Sequence, residues 1–98
     1  MKFTLYVGLN DKDTKKQEVT TEQAKSIITS VIGDNTMQEV TGHYTHEDGT
    51  PVDETTLKVE IFRDSADRLK ADCEDLKRLL NQETIIAEVN RDIESLFI

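Results

Sequence analysis

The feature that most constrains the fold of this 98-residue chain is the period of its apolar residues. It switches between the two-residue repeat of a strand and the three- and four-residue spacing of a helix. Phe3, Leu5, Val7 and Leu9 point one way and Thr4, Tyr6 and Gly8 the other, which predicts a half-buried strand from Lys2 to Leu9. The polar stretch from Asn10 to Glu18 reads as a loop. Thr20 followed by Gln23 is a capping box, and Val19 with Ala24 forms a hydrophobic staple. Ala24, Ile27, Ile28, Val31 and Ile32 then make one helix face, and Gly33 stands where a helix commonly stops.

Extended structure returns from Thr36 to Tyr44. Val40, Gly42 and Tyr44 share a parity there, Met37 falls on the other, and Gly42 is expected to mark a bulge. Asp48-Gly49 carries turn chemistry, and Pro51 is expected to keep the loop from extending the sheet. Thr55 to Phe62 alternates again, with Leu57, Val59 and Ile61 on the apolar side, which completes a hairpin. Asp64 or Ser65 is expected to cap a second helix, reaching to the neighbourhood of Asn81 and carrying Leu69, Cys73, Leu76 and Leu80 on one stripe. Thr84 to Val89 reads as the last strand. The apolar tail Ser95-Leu96-Phe97-Ile98 is expected to be tied down, as a short added edge strand or in a partner contact.

The order β-α-β-β-α-β predicts a single α+β domain over residues 1–98. The architecture is a two-layer, ferredoxin-like sandwich with both helices on one face of an antiparallel sheet. The other sheet face would carry Thr4, Tyr6, Thr56, Lys58, Glu60 and Phe62. That mixture suits a partner, a small molecule or a second copy forming a homodimer.

Composition narrows the function classes. Twenty acidic against 12 basic residues give a net charge of −8, which disfavours direct nucleic-acid binding because phosphate contacts need clustered cations. No apolar run is long enough to span a membrane, no signal peptide is evident, and the single cysteine fits a reducing cytoplasm. Cys73 lies on an apolar stripe between Asp72 and Glu74, a setting that raises a thiol pKa and suits packing rather than attack. His43 and His46 are three apart on a strand and so face opposite sides, unlike the helical zinc motif. Gly8 stands alone rather than in a phosphate loop, and Asn10-Asp11-Lys12-Asp13 lacks the glycine and distal glutamate of a calcium loop. These patterns predict neither an enzyme, nor a cofactor, nor a metal.

The acidic residues form two groups in the sequence. Glu47, Asp48, Asp53, Glu54 and Glu60 lie in and around the hairpin, and Asp64, Asp67, Glu74 and Asp75 at the start and middle of the second helix. On this fold the two are expected to merge into one negative edge that docks on a basic partner.

Two resemblances attach to these residues. Leu5-Tyr6-Val7-Gly8, Gly42-His43-Tyr44 with Asp48-Gly49 and Glu54, and Asn81-Gln82-Glu83-Thr84-Ile85 resemble a bacterial ferredoxin-like domain family of unknown function. The small, acidic, cysteine-poor character resembles the anti-CRISPR proteins of phages and conjugative elements, Cas9 inhibitors above all. That second resemblance implies a non-catalytic inhibitor in the bacterial cytoplasm. It would occupy the basic channel of Cas9, or of its guide-RNA complex, and compete with RNA or DNA.

Overall fold

The computed structural model describes residues 1–45 and 48–90. Its elements run β1 (Lys2–Gly8), α1 (Thr21–Ile32), β2 (Thr36–Thr45), β3 (Pro51–Phe62), α2 (Asp67–Leu79) and β4 (Ile86–Asn90). The strands form one antiparallel sheet in the order β2-β3-β1-β4, so the predicted ferredoxin-like α+β sandwich is the observed one. Both central strands, β1 and β3, come from the segments with the cleanest alternation. That follows from burial, because a central strand between two edges must present an unbroken apolar face.

Phe3, Leu5, Val7 and Leu9 align with Leu57, Val59 and Ile61 on one sheet face, and all are 2% exposed or less. Ala24, Ile28 and Ile32 of α1 and Leu69, Leu76 and Leu80 at α2 close over that face in the same core. Each such leucine, isoleucine, valine or phenylalanine contributes about 1.5–3 kcal/mol when fully buried.

The helix ends follow local chemistry. Thr20 caps α1 in the expected box: its hydroxyl accepts from the Gln23 N–H at 3.1 Å, and the Gln23 side chain accepts from the Thr20 N–H at 2.9 Å. Gly33 closes α1 at φ 78°, a conformation that is nearly free only for glycine. The cap of α2 departs from expectation. It is Ala66, which makes no side-chain hydrogen bond, whereas Asp64 and Ser65 lie in the preceding loop. At the other end α2 finishes in a Schellman motif with Asn81 at φ 48°. The Asn81 N–H reaches Arg78 O, and the Gln82 N–H reaches Lys77 O at 2.8 Å.

The hairpin differs from the sequence reading in two ways. Pro51 does not hold the loop out of the sheet but begins β3 opposite Thr45, a place where a strand tolerates proline. The pairing runs without a break from Thr36↔Glu60 to Thr45↔Pro51, so Gly42 is not a bulge. On β2 the two parities separate as the sequence divides them: Met37 packs against the core, while Val40, Gly42 and Tyr44 belong to the open face. Glu47, His46 and the tail from Ser95 to Ile98 lie outside the described residues.

A guanidinium ties the two helices together. Arg63, just after β3, pairs with Asp72 of α2 at 3.0 Å and donates to the Ile32 carbonyl at the end of α1 at 2.8 Å. Both charged side chains are 13% exposed. Among the described residues no helix is long and apolar enough to cross a membrane.

Candidate functional site

The open face of the sheet holds one feature that its strand chemistry does not require. Glu54 lies on β3 directly opposite Gly42, and its carboxylate rests in the space above Gly8 of β1. A methyl group built on Gly8 would lie 2.5 Å from Glu54 Cδ, inside van der Waals contact. Gly42 is similarly confined: a methyl there would meet the Thr56 hydroxyl at 3.0 Å. A glycine inside a strand costs packing and entropy, and close approach by another group is a standing reason for one. Here the approaching group is a carboxylate.

The carboxylate is held in place. Glu54 Oε2 accepts from the Asn10 N–H at 2.8 Å, across 44 residues of sequence. Gln82, 8% exposed, donates from Nε2 to the Asn10 carbonyl at 2.7 Å. Asn81 Nδ2 binds the carboxylates of Asp11 and Asp13, each at 2.9 Å, and the Lys12 N–H donates to Asn81 O at 2.9 Å. The loop after β1 is therefore stapled to the turn after α2. The Asn81 contact is the main cause of the lowered Asp11 pKa, with the Thr14 and Asp13 N–H groups adding to it.

These groups enclose a polar basin of about 200 Å³ at the Tyr44 end of the sheet. The charged side chains Asp11, Lys12, Lys15, Glu54 and Glu83 line it together with Asn10, Tyr44, Gln82 and Thr84. Cations and carboxylates thus face one small volume, which suits a zwitterionic ligand. Gly8, Gly42, Tyr44, Glu54, Gln82, Glu83 and Thr84, scattered among the segments that carry the first resemblance, converge at this end.

The other acidic residues do different work. Glu60 pairs with Lys2 at 2.7 Å on the open face, and that lysine is the leading reason its carboxyl titrates below the ordinary range. Asp53 lies 2.6 Å from His43 on the opposite side of the hairpin. Asp48 accepts from the Thr50 N–H in the turn, and Asp64 is exposed in the loop before α2. On α2, Asp67 occupies the first turn, Glu74 pairs with Lys77 at 3.5 Å and Asp75 with Arg78 at 3.3 Å. Glu54 and Glu60 thus face the open side, while the α2 acids belong to the helix layer.

His43 has its carboxylate partner, and no group of three or more His, Cys, Asp or Glu converges among the described residues. Cys73 is half-buried beside Phe3, Leu69, Ile85 and Val89. Burial first, and then Asp72 and Glu74, push its thiol pKa up.

No protein-family model matches the sequence, and no curated protein sequence does. Solved structures do. The fold is similar to that of a phage SAM lyase in complex with S-methyl-5′-thioadenosine, at a TM-score of 0.70 and 20% identity, covering 88% of this chain and 76% of the lyase. A phage SAM lyase in its apo state gives a TM-score of 0.66 at 21% identity, covering 88% and 75%. The expectation of a protein without enzymatic activity is corrected by this likeness, because the proteins that share the fold over most of the chain are enzymes. Motif reading missed the basin because it draws its side chains from four separate segments. What the comparison establishes is a shared architecture, that of the phage SAM lyases.

Proposed function

We propose that the protein is an enzyme that cleaves S-adenosylmethionine and releases S-methyl-5′-thioadenosine, with the substrate held in the basin around Glu54 and Tyr44. The observation that carries the reading is the Glu54 carboxylate, lodged above Gly8 and held by the Asn10 N–H, on a fold shared with a SAM lyase.

The chemistry restricts what Glu54 can do. When the bond between sulfur and the four-carbon amino acid breaks, its electron pair stays on sulfur and the sulfonium becomes a neutral thioether. The remainder balances charge by losing a proton or by closing on its own carboxylate. Because the positive charge on sulfur disappears during the reaction, an anion beside sulfur would stabilise the substrate more than the transition state. Glu54 therefore serves better at the substrate ammonium, fixing the reacting chain in a productive conformation, and such orientation lowers a barrier without any proton transfer by the protein. Lys12, on the same rim, is suited to the substrate carboxylate, and the Tyr44 ring to stacking on adenine.

Calorimetric titration tests the binding part of this reading. The wild type should bind both S-adenosylmethionine and S-methyl-5′-thioadenosine. E54Q should weaken binding of the first, which has an ammonium, far more than binding of the second, which has none. Absence of binding of either by the wild type would refute the proposal.

The net charge of −8 supports a second reading, docking on a basic nucleic-acid-handling protein such as Cas9. Pull-down with Cas9, with and without guide RNA, tests it independently, and failure to capture in both arms would reject it.

A further inference from the structure

We infer that Gln82 is a positioning residue for Glu54, acting through the backbone of Asn10. The inference rests on the reading that Glu54 orients the substrate. Its structural part stands on four linked contacts. The Schellman motif fixes the Gln82 backbone by its N–H bond to Lys77 O. With the backbone fixed, Gln82 Nε2 donates to Asn10 O at 2.7 Å and, more weakly, to Leu80 O at 3.4 Å. Asn10, gripped at its carbonyl, directs its N–H at Glu54 Oε2. Gly8 leaves the room in which that carboxylate lies.

Burial gives the first link its strength. Gln82 is 8% exposed, so its amide cannot trade the Asn10 carbonyl for water at low cost. It spans two loops 72 residues apart in sequence, and both loops border the basin. The residue it addresses, Asn10, is the one whose N–H is bonded to the Glu54 carboxylate. In this reading Gln82 bears on where the Glu54 charge sits through the backbone of Asn10.

The test combines nuclear magnetic resonance with kinetics on the full chain. An N–H bonded to a carboxylate resonates downfield, so the Asn10 amide proton should be downfield in the wild type and move upfield in E54Q. In Q82L the same proton should move in the same direction. The kcat for release of S-methyl-5′-thioadenosine should fall on the order of 10- to 100-fold with a smaller change in KM, the mark of lost orientation.

Q82E provides a variant of nearly equal volume. Its carboxylate cannot donate to Asn10 O, but its protonated form can, so its kcat relative to the wild type should recover as pH is lowered, while the Q82L ratio stays flat. An Asn10 amide unmoved in Q82L, or a kcat within twofold of the wild type, would overturn the inference. If the wild type neither binds nor cleaves S-adenosylmethionine, the functional reading fails while the amide shift still decides the positioning role.

Discussion

Replacing Gly8 by alanine separates the stability of the fold from the working of the site. Gly8 pairs with Thr56 at the end of β1, and its α-carbon faces the Glu54 carboxylate. The added methyl would lie 2.5 Å from Glu54 Cδ and nearer still to Oε1, where ordinary contact begins at 3.4 Å, so the carboxyl must withdraw by more than 3.4 − 2.5, that is, more than 0.9 Å. It is the end of a flexible side chain, so the backbone need not move. Alanine recovers about 0.5–1 kcal/mol through the smaller backbone entropy of the unfolded chain. Against this stands the bond from the Asn10 N–H to Glu54, worth about 1.5–3 kcal/mol as a hydrogen bond to a charged group. The net change is a loss of no more than about 2.5 kcal/mol, toward the low end because water can replace part of the contact at a half-exposed site. At about 4–8 °C per kcal/mol, the melting temperature should fall by roughly 20 °C at most. Activity should respond far more steeply, since a displacement of about 1 Å can cost about a hundredfold in rate. Circular-dichroism melting and chromatographic assay of S-methyl-5′-thioadenosine read the two quantities. A G8A protein that melts normally and cleaves at the wild-type rate would refute the role given to Glu54 and to the space above Gly8.

Three further outcomes follow from the fold. Asp72→Ala should lower stability in urea by about 3–5 kcal/mol, because it removes the carboxylate of the Arg63 guanidinium, whose Nη1 is buried with no partner among the described residues; a loss below 1 kcal/mol would contradict that. Thr20→Ala should cost about 1 kcal/mol through loss of the capping box, read by the same denaturation curves. The folded pKa of Asp11 is depressed below its ordinary 3.8, so its contribution is complete above that value and disappears as pH falls through the lower folded one. Stability of the wild type should therefore drop more steeply than that of D11N below pH 4, and parallel curves would contradict the linkage.

How far the sequence carries this account differs from segment to segment. β1, α1 and β3 were legible because each buries one face and leaves the other wet, so the period of Phe3 to Leu9, of Ala24 to Ile32 and of Leu57 to Ile61 records the core directly. β2 was less legible because an edge strand buries little. Its one core-facing apolar side chain is Met37, while Val40 and Tyr44 lie on the open face. Pro51 misled for a related reason, since the first residue of a strand can spare its N–H.

The site left weaker traces. Glu54 was read as one acid among many, and nothing in its local sequence shows that it turns onto the sheet. Asn10 contributes by its backbone, which any residue possesses, and Gln82 reaches it from 72 positions away. The usable trace was Gly8. Judged by the phosphate-loop pattern it is an isolated glycine, but a lone glycine inside a strand marks a close approach, and the approaching group is the carboxylate.

The central claim is that the Glu54 basin cleaves S-adenosylmethionine. Its most direct test is incubation of the purified wild type and E54Q with that compound, following S-methyl-5′-thioadenosine by chromatography. The account predicts product that accumulates in proportion to wild-type enzyme and falls about a hundredfold with E54Q. No product from the wild type, or equal product from both proteins, would contradict it.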